Sequence, residues 1–195
     1  DYFLATAHHC LAGLGSADLV RQWDAAIGVA HFESKPTNYD FGLVRITQIG
    51  LTGGRYASNG LKFSDSTAGY DATTRNAVRP AQNQLVCKSG ITQGYQCGKI
   101  TDPRIIIDPT TGDILIKVEK YGGGYLVGQG DSGGPLFDQT SNDLIGLLSK
   151  IYKEYQNPNN GVWYSHEAYY TPFVEVAQKY GLYLYTADTP KKLTN

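Results

Sequence analysis

The chain has 195 residues with an apolar share of 41%, enough for one full hydrophobic core and too few residues for two ordinary domains. Lys and Arg number 17 against 18 Asp and Glu, a formal charge of -1, which removes electrostatic attraction as a reason to expect a DNA, RNA or anionic-membrane partner. No run approaches the ~18 uncharged apolar residues of a membrane-spanning helix, and the over-used residues, Gly (23) and Tyr (15), suit strands and tight turns better than a helical bundle.

In chain order the pattern is one of short strands. The opening DYFLATAHHC has neither a basic n-region nor an apolar h-region, so no signal peptide is visible there. Ala25–Phe32 (AAIGVAHF) and Phe41–Ile46 (FGLVRI) are apolar runs with β-branched residues, separated by the turn-like SKPTNYD. Residues 50–81 are rich in Gly, Ser, Thr, Asn and Asp and predict loops around one or two marginal strands, with a small apolar interruption at Gly60–Phe63. Two hairpins follow, QLVCKSG-ITQGYQCGKI and RIII-DPTTGD-ILIKVEK, the second with strong turn chemistry in DPTTGD. PLF and LIGLLS predict two more strands across DQTSND, and NPNNG at 157–161 a further turn. One helix is expected, with Thr171 as N-cap, Pro172 at the first helical position and Gly181 at C′. Within it Phe173, Val176, Ala177 and Tyr180 fall at i, i+3, i+4 and i+7, a single apolar stripe. Many strands and one terminal helix make a mostly β chain, and no repeat or low-complexity linker divides it.

Three strings carry chemistry. Gly130-Asp131-Ser132-Gly133-Gly134-Pro135 surrounds a serine with glycines, which supply the backbone angles and clearance that an exposed nucleophile and its oxyanion donors need. The plain alternative is a glycine-rich turn with an ordinary serine. A serine needs a base, and Thr6-Ala7-His8-His9-Cys10 offers one. Asp40 opens the apolar strand DFGLVRI, and the order His, Asp, Ser is the one of three known triad orders associated with double β-barrels. Asp18 and Asp24 compete with Asp40, but neither opens a comparable strand. His8, His9 and Cys10 make a poor metal cluster, because adjacent side chains in a strand do not converge and no C-x-x-C or H-E-x-x-H accompanies them. His31 and His166 have no partner string and are expected to be structural or solvent-exposed. Cys87 and Cys97 flank nine residues across the first hairpin, within bridging range, although two reduced buried cysteines are the alternative. A disulfide there implies an oxidising compartment.

These strings resemble those of the chymotrypsin-like (trypsin-like) serine proteases, and most closely the bacterial branch of α-lytic protease and the streptogrisins. TAHHC resembles the family's TAxHC and assigns the general base to His9; DFGLVRI assigns the orienting carboxylate to Asp40; GDSGGP assigns the nucleophile to Ser132, with an oxyanion hole from the N–H groups of Gly130 and Ser132. Ser149, after GLL, resembles the serine that supports the buried aspartate. VCKSGITQGYQCG at 86–98 is similar to that branch's disulfide hairpin, and TPFVEVAQKYGLYLYT to its closing helix and last strand. Where relatives carry an arginine that pairs with the aspartate before the nucleophile, this chain has Lys88, so a Lys88–Asp131 pair is expected, without arginine's bidentate fork.

The fold implied is all-β, two six-stranded antiparallel barrels with a C-terminal helix, in a single peptidase domain over 1–195. Its first barrel is approximated by 1–80, and 81–195 forms the second barrel and the helix. The implied activity is that of a secreted, extracellular, monomeric serine endopeptidase acting on protein or peptide substrates, with a propeptide or protein inhibitor as further partner and with no cofactor and no metal. The alternatives are a protease-fold binding protein without catalysis and an esterase using the same residues. Leu126, Gln129, Lys150 and Ile151 are expected around the substrate pocket. No aspartate lies in 121–129, which disfavours a trypsin-like preference for Lys or Arg. Gly128 stands where relatives have a cysteine, and Ile151 at a glycine position would narrow the pocket toward small or medium apolar side chains. Only eight residues precede His9, where the family has roughly 25–35, so the first barrel is expected to be truncated. Cys10 is then half of a disulfide to a cysteine outside the chain, and residues 1–195 alone are expected to fold poorly and to show little activity.

Overall fold

The computed structural model describes residues 2–16, 18–22, 25–31, 38–47, 56–63, 70–107, 109–152, 154–186 and 191–192. Its strands are β1 (Phe3–Thr6), β2 (Leu19–Gln22), β3 (Ala25–His31), β4 (Gly42–Ile46), β5 (Tyr56–Ala57), β6 (Gly60–Leu61), β7 (Ala72–Thr73), β8 (Leu85–Lys88), β9 (Gln96–Ile106), β10 (Ile114–Lys120), β11 (Val127–Gly128), β12 (Pro135–Asp138), β13 (Leu144–Ile151), β14 (Tyr155–Gln156), β15 (Trp163–Ser165), β16 (Glu167–Pro172) and β17 (Lys191–Lys192). A 3₁₀ turn covers His8–Leu11, and one α-helix, α1, covers Phe173–Tyr180.

Six strands close into a barrel in the order β10-β16-β13-β12-β8-β9, with every neighbouring pair antiparallel. Its interior is filled by Val86, Ile100, Ile116, Val118, Leu136, Ile145, Leu148 and Tyr170. Ile116 and Val118 keep the period of a pleated strand, while a register shift against β12 lets Ile145 and Leu148, three residues apart, face the same side. A second, smaller sheet, β1-β4-β3-β2, stays open. Among the described residues the structure thus has one closed six-stranded barrel and a C-terminal helix, as expected, with an open four-stranded sheet where the truncated first barrel was expected.

The unbroken apolar run LIGLL of β13 has a physical reason. Ile145 and Leu148 face the barrel interior. Leu144 and Leu147 face outward into a second core with Tyr39, Phe41, Phe173 and Val176. A strand buried on both faces loses the polar alternation. That second core joins barrel, helix and open sheet, and Glu175 of α1 reinforces it by accepting from Tyr39 Oη at 2.9 Å and from Arg104 at 2.9 Å.

The two expected hairpins form, and they share β9, which runs through Asp102-Pro103 where the sequence reading broke. The register between β9 and β10 shifts there, and a bulge accommodates a proline that has no N–H for the ladder. The expected N-cap of α1 is a correction. Thr171 is still a strand residue of β16, Pro172 is the N-cap, and the helix has no side-chain cap. The Thr171 hydroxyl donates instead to the Asp40 carbonyl oxygen at 3.0 Å. Gly181 ends the helix in the left-handed region, φ 64°, as expected. Of residues 50–81, the described part holds β5, β6 and β7; Phe32, most of the SKPTNYD turn and Asp24 lie outside the described residues.

Cys87 and Cys97 stand directly opposite in the β8–β9 ladder and form a disulfide. The loop it closes is short, with a sequence separation of 10. Replacing both cysteines with alanine is expected to cost about 2–3 kcal/mol on the chain-entropy argument, read as a lower midpoint in urea unfolding.

Candidate active site

The pairing of β1 with β4 is what brings distant residues together. Thr6 lies opposite Gly42, so the chain leaving β1 and the chain entering β4 meet at one end of the open sheet. Ala7 continues extended from β1, and the following 3₁₀ turn points His9 at Asp40. The His9 backbone N–H donates to Asp40 Oδ1 at 3.0 Å, and His9 Nδ1 lies 2.7 Å from Asp40 Oδ2. An ionised carboxylate can only accept, so Nδ1 carries a proton, and in the neutral imidazole Nε2 is the nitrogen that keeps its lone pair. Ser149 Oγ donates to the same Asp40 Oδ2 at 2.7 Å.

Ser149 reaches Asp40 because of a bulge. Leu148 pairs with Tyr170 and Lys150 with Tyr169, so Ser149 is an extra residue in β13, turned out of the ladder. Burial alone would raise the Asp40 carboxyl; the His9 and Ser149 hydrogen bonds outweigh it and hold the group below its usual range. The hydrogen bond to Asp40, with the Cys10 thiol also adjacent, pushes the His9 imidazole from 6.5 up to about 10 against its partial burial.

Ser132 sits in the tight turn between β11 and β12. Gly130 at φ 107° and Gly133 at φ 80° have backbone angles that L side chains rarely adopt. Gly133 packs against β1: a Cβ there would lie 2.3 Å from Thr6 Oγ1 and 3.2 Å from Ala7 N. The residue after Ser132 therefore touches the segment that leads to His9. Among the described residues no hydrogen bond joins Ser132 to His9; the hydrogen-bonded group is His9, Asp40 and Ser149. The N–H groups of Asp131, Gly133 and Gly134 are bound to Gly128, Leu148 and Asp131 carbonyls at 3.1, 2.8 and 3.0 Å. Those of Gly130 and Ser132 have no acceptor among the described residues.

Asp131 holds this turn from beneath. Its side chain is fully buried and accepts from Lys88 Nζ at 2.7 Å, Gly128 N at 3.0 Å, Thr92 N at 2.6 Å and Gln93 N at 3.3 Å. The expected Lys88 pair is thus formed. Burial pushes the Lys88 ammonium down, and the Asp131 carboxylate opposes that. Thr92, which the sequence reading missed, also donates from Oγ1 to the Gln129 carbonyl at 2.8 Å. The hairpin tip SGITQG carries no signal for that role.

Around the turn, Leu126 is buried in the barrel core, and Ile151 packs partly buried against the same core. Gln129 is exposed and donates its N–H to the Trp163 carbonyl at 2.8 Å. Lys150 pairs with Asp113 at 3.3 Å. Cys10 is an exposed free cysteine. His31 packs its ring on Phe3, His166 pairs with Glu154 at 2.5 Å, and Asp18 accepts from Gly15 N in a turn.

The family model described as Trypsin matches residues 1–174. Among solved structures, a glutamic acid-specific serine protease superposes with a TM-score of 0.65 at 23% identity, over 94% of this chain and 86% of its own. Protease A of Thermobifida fusca follows at 0.64 and 24% identity, over 94% and 84% of the two chains. A chymotrypsin of Cellulomonas bogoriensis gives 0.61 at 23% identity, over 94% and 85%. At these identities the likeness shows the fold. No curated protein matches the chain.

In a histidine-selective NMR titration, His9 is expected to titrate well above 6.5, and Asp40→Asn to bring it down by more than one pH unit. The raised value also makes the pair's contribution to stability fully present below 6.5 and lost as pH rises through about 10; in Asp40→Asn that pH dependence of unfolding disappears. Lys88→Met leaves Asp131 buried and unpaired, and is expected to cost about 3–5 kcal/mol in urea unfolding.

Proposed function

This chain belongs to the trypsin family of serine-type hydrolases, and from that premise we propose that it is a serine endopeptidase working through an acyl-enzyme intermediate. The observation that carries the reading is the hydrogen-bonded group His9–Asp40–Ser149 at the end of the sheet against which the GDSGGP turn packs. In this mechanism His9 Nε2 takes the Ser132 hydroxyl proton as Oγ bonds to the peptide carbonyl carbon. The carbonyl becomes an oxyanion held by the Gly130 and Ser132 N–H groups, each such donor worth about 3–4 kcal/mol of transition-state stabilisation. The imidazolium then gives its proton to the leaving amine as the C–N bond breaks, and water repeats the sequence to release the acid. Asp40 stays ionised throughout, fixing the imidazole tautomer and stabilising its charged form.

The disulfide hairpin and the Lys88–Asp131 pair support a place beside α-lytic protease and the streptogrisins. A two-barrel division near residue 80 goes with it. The open four-stranded sheet stands for the first barrel. The disulfide also supports an oxidising, extracellular setting. Substrates are proteins or peptides. Ile151, at a glycine position of relatives and beside Leu126, Gln129 and Lys150, favours a preference for small or medium apolar side chains.

A fluorophosphonate is expected to label Ser132 in the folded full-length protein, to leave Ser132→Ala untouched and to react at least 10³-fold more slowly with His9→Ala. A folded protein that is not labelled overturns the reading in favour of a protease-fold binding protein. Cleavage of esters without cleavage of peptides, in a panel of both, points to an esterase.

A further inference from the structure

The strand that delivers Ser132 belongs to a small sheet outside the barrel. β11, β15 and β14 form three strands of two or three residues each, joined to no other strand among the described residues. So short a sheet is marginal on its own hydrogen bonds. Yet the turn hangs on it: Val127 and Gly128 pair with Ser165 and Tyr164, while Leu126 N and Gln129 N donate to the Ser165 and Trp163 carbonyls, both at 2.8 Å.

Leu126 and Val127 anchor β11 in the barrel core, and on the other strands of this sheet the packing is aromatic. Tyr125 lies two residues before β11, Tyr155 is in β14 and Tyr164 in β15, so each strand segment supplies one tyrosine. The Tyr125 and Tyr155 rings stack in near-parallel planes at 5.6 Å, Tyr125 and Tyr164 lie 5.6 Å apart, and the cross-strand pair Tyr155–Tyr164 closes the group at 6.5 Å. The Tyr164 ring also lies over Gly128. A Cβ at 128 would be 3.1 Å from its Cε1 and 2.5 Å from Thr92 Cγ2, so the glycine is required by the close approach of both side chains. Through Gly128 the same ring touches the residue whose N–H is bound by Asp131.

We propose that Tyr125, Tyr155 and Tyr164 form an aromatic clamp that positions the strand leading into the nucleophile turn. They are positioning residues for the reaction at Ser132, an inference that rests on the reading of Ser132 as the nucleophile. Stacking, not the hydroxyl groups, supplies the restraint, and it acts locally because the small sheet shares no strand with the barrel.

Tyr155 is 43% exposed, so its replacement leaves no core cavity. Hydrogen exchange read by mass spectrometry, on wild type, Tyr155→Phe and Tyr155→Leu, tests the clamp. In Tyr155→Leu the amides of 126–131 are expected to exchange about tenfold faster, the scale of one aromatic contact, while those of β8 and β9 stay protected and Tyr155→Phe matches wild type. Peptidase kcat/KM falls by about the same factor in Tyr155→Leu, chiefly through kcat, and is retained in Tyr155→Phe. Unchanged exchange at 126–131 in Tyr155→Leu overturns the proposal; so does equal acceleration in Tyr155→Phe, or a loss of protection that extends to β8 and β9. A wild-type protein inert toward peptides defeats the proposed function instead, and the exchange result still decides the clamp.

Discussion

The burial of the Asp40 carboxylate is the constraint on which the rest of the structure depends. A lone ionised carboxylate with so little exposure would be strongly destabilising. Here three donors converge on its two oxygens: His9 N on Oδ1, and His9 Nδ1 and Ser149 Oγ on Oδ2. Thr171 secures the same residue through its backbone carbonyl. His9 comes from the open sheet, Ser149 from β13 and Thr171 from β16, so satisfying one charge locks sheet and barrel in a single arrangement. The outward face of β13 and the apolar stripe of α1 then fill the seam beside it. This hydrogen-bonded group keeps the imidazole basic at Nε2, which is the property that proton transfer needs.

Asp131 solves the same physical problem differently. Its partners are a buried ammonium and three backbone N–H groups. None of them is placed to move a proton. The carboxylate instead gathers the 92–93 hairpin tip, the end of β11 and the nucleophile turn around one point. Asp40 thus governs the His9 imidazole, while Asp131 governs the shape of the turn. The N–H groups of Asp131, Gly133 and Gly134 are engaged within the protein, and those of Gly130 and Ser132 have no acceptor among the described residues.

Much of the barrel was legible because strand periodicity and turn chemistry are local. DPTTGD, DQTSND and NPNNG each lie between strands, and the 87–97 disulfide follows from two cysteines flanking one hairpin. The i, i+3, i+4, i+7 stripe found α1, since helical faces are written in a single segment. Thr171 was misread for a physical reason: a threonine before a proline carries the local signature of an N-cap, but its hydroxyl had a stronger claim in the Asp40 carbonyl, 131 residues away. Pro103 misled in the same way, because its cost in a ladder is removed by a bulge whose partner strand lies elsewhere in the chain.

By itself, the sequence determined the chemistry available at the site: an imidazole, a carboxylate and a glycine-flanked serine, in one order along the chain. It also determined the class of fold, because alternation, turns and a terminal helical stripe are properties of contiguous residues. The tertiary structure decided the rest. It placed Ser149 on a bulge so that it meets Asp40, recruited Thr92 and Thr171, left one sheet open beside one closed barrel, and set three tyrosines from separate segments against one another. Each of these depends on register and on close approach between distant strands, and such contacts leave no local mark on the residues that make them.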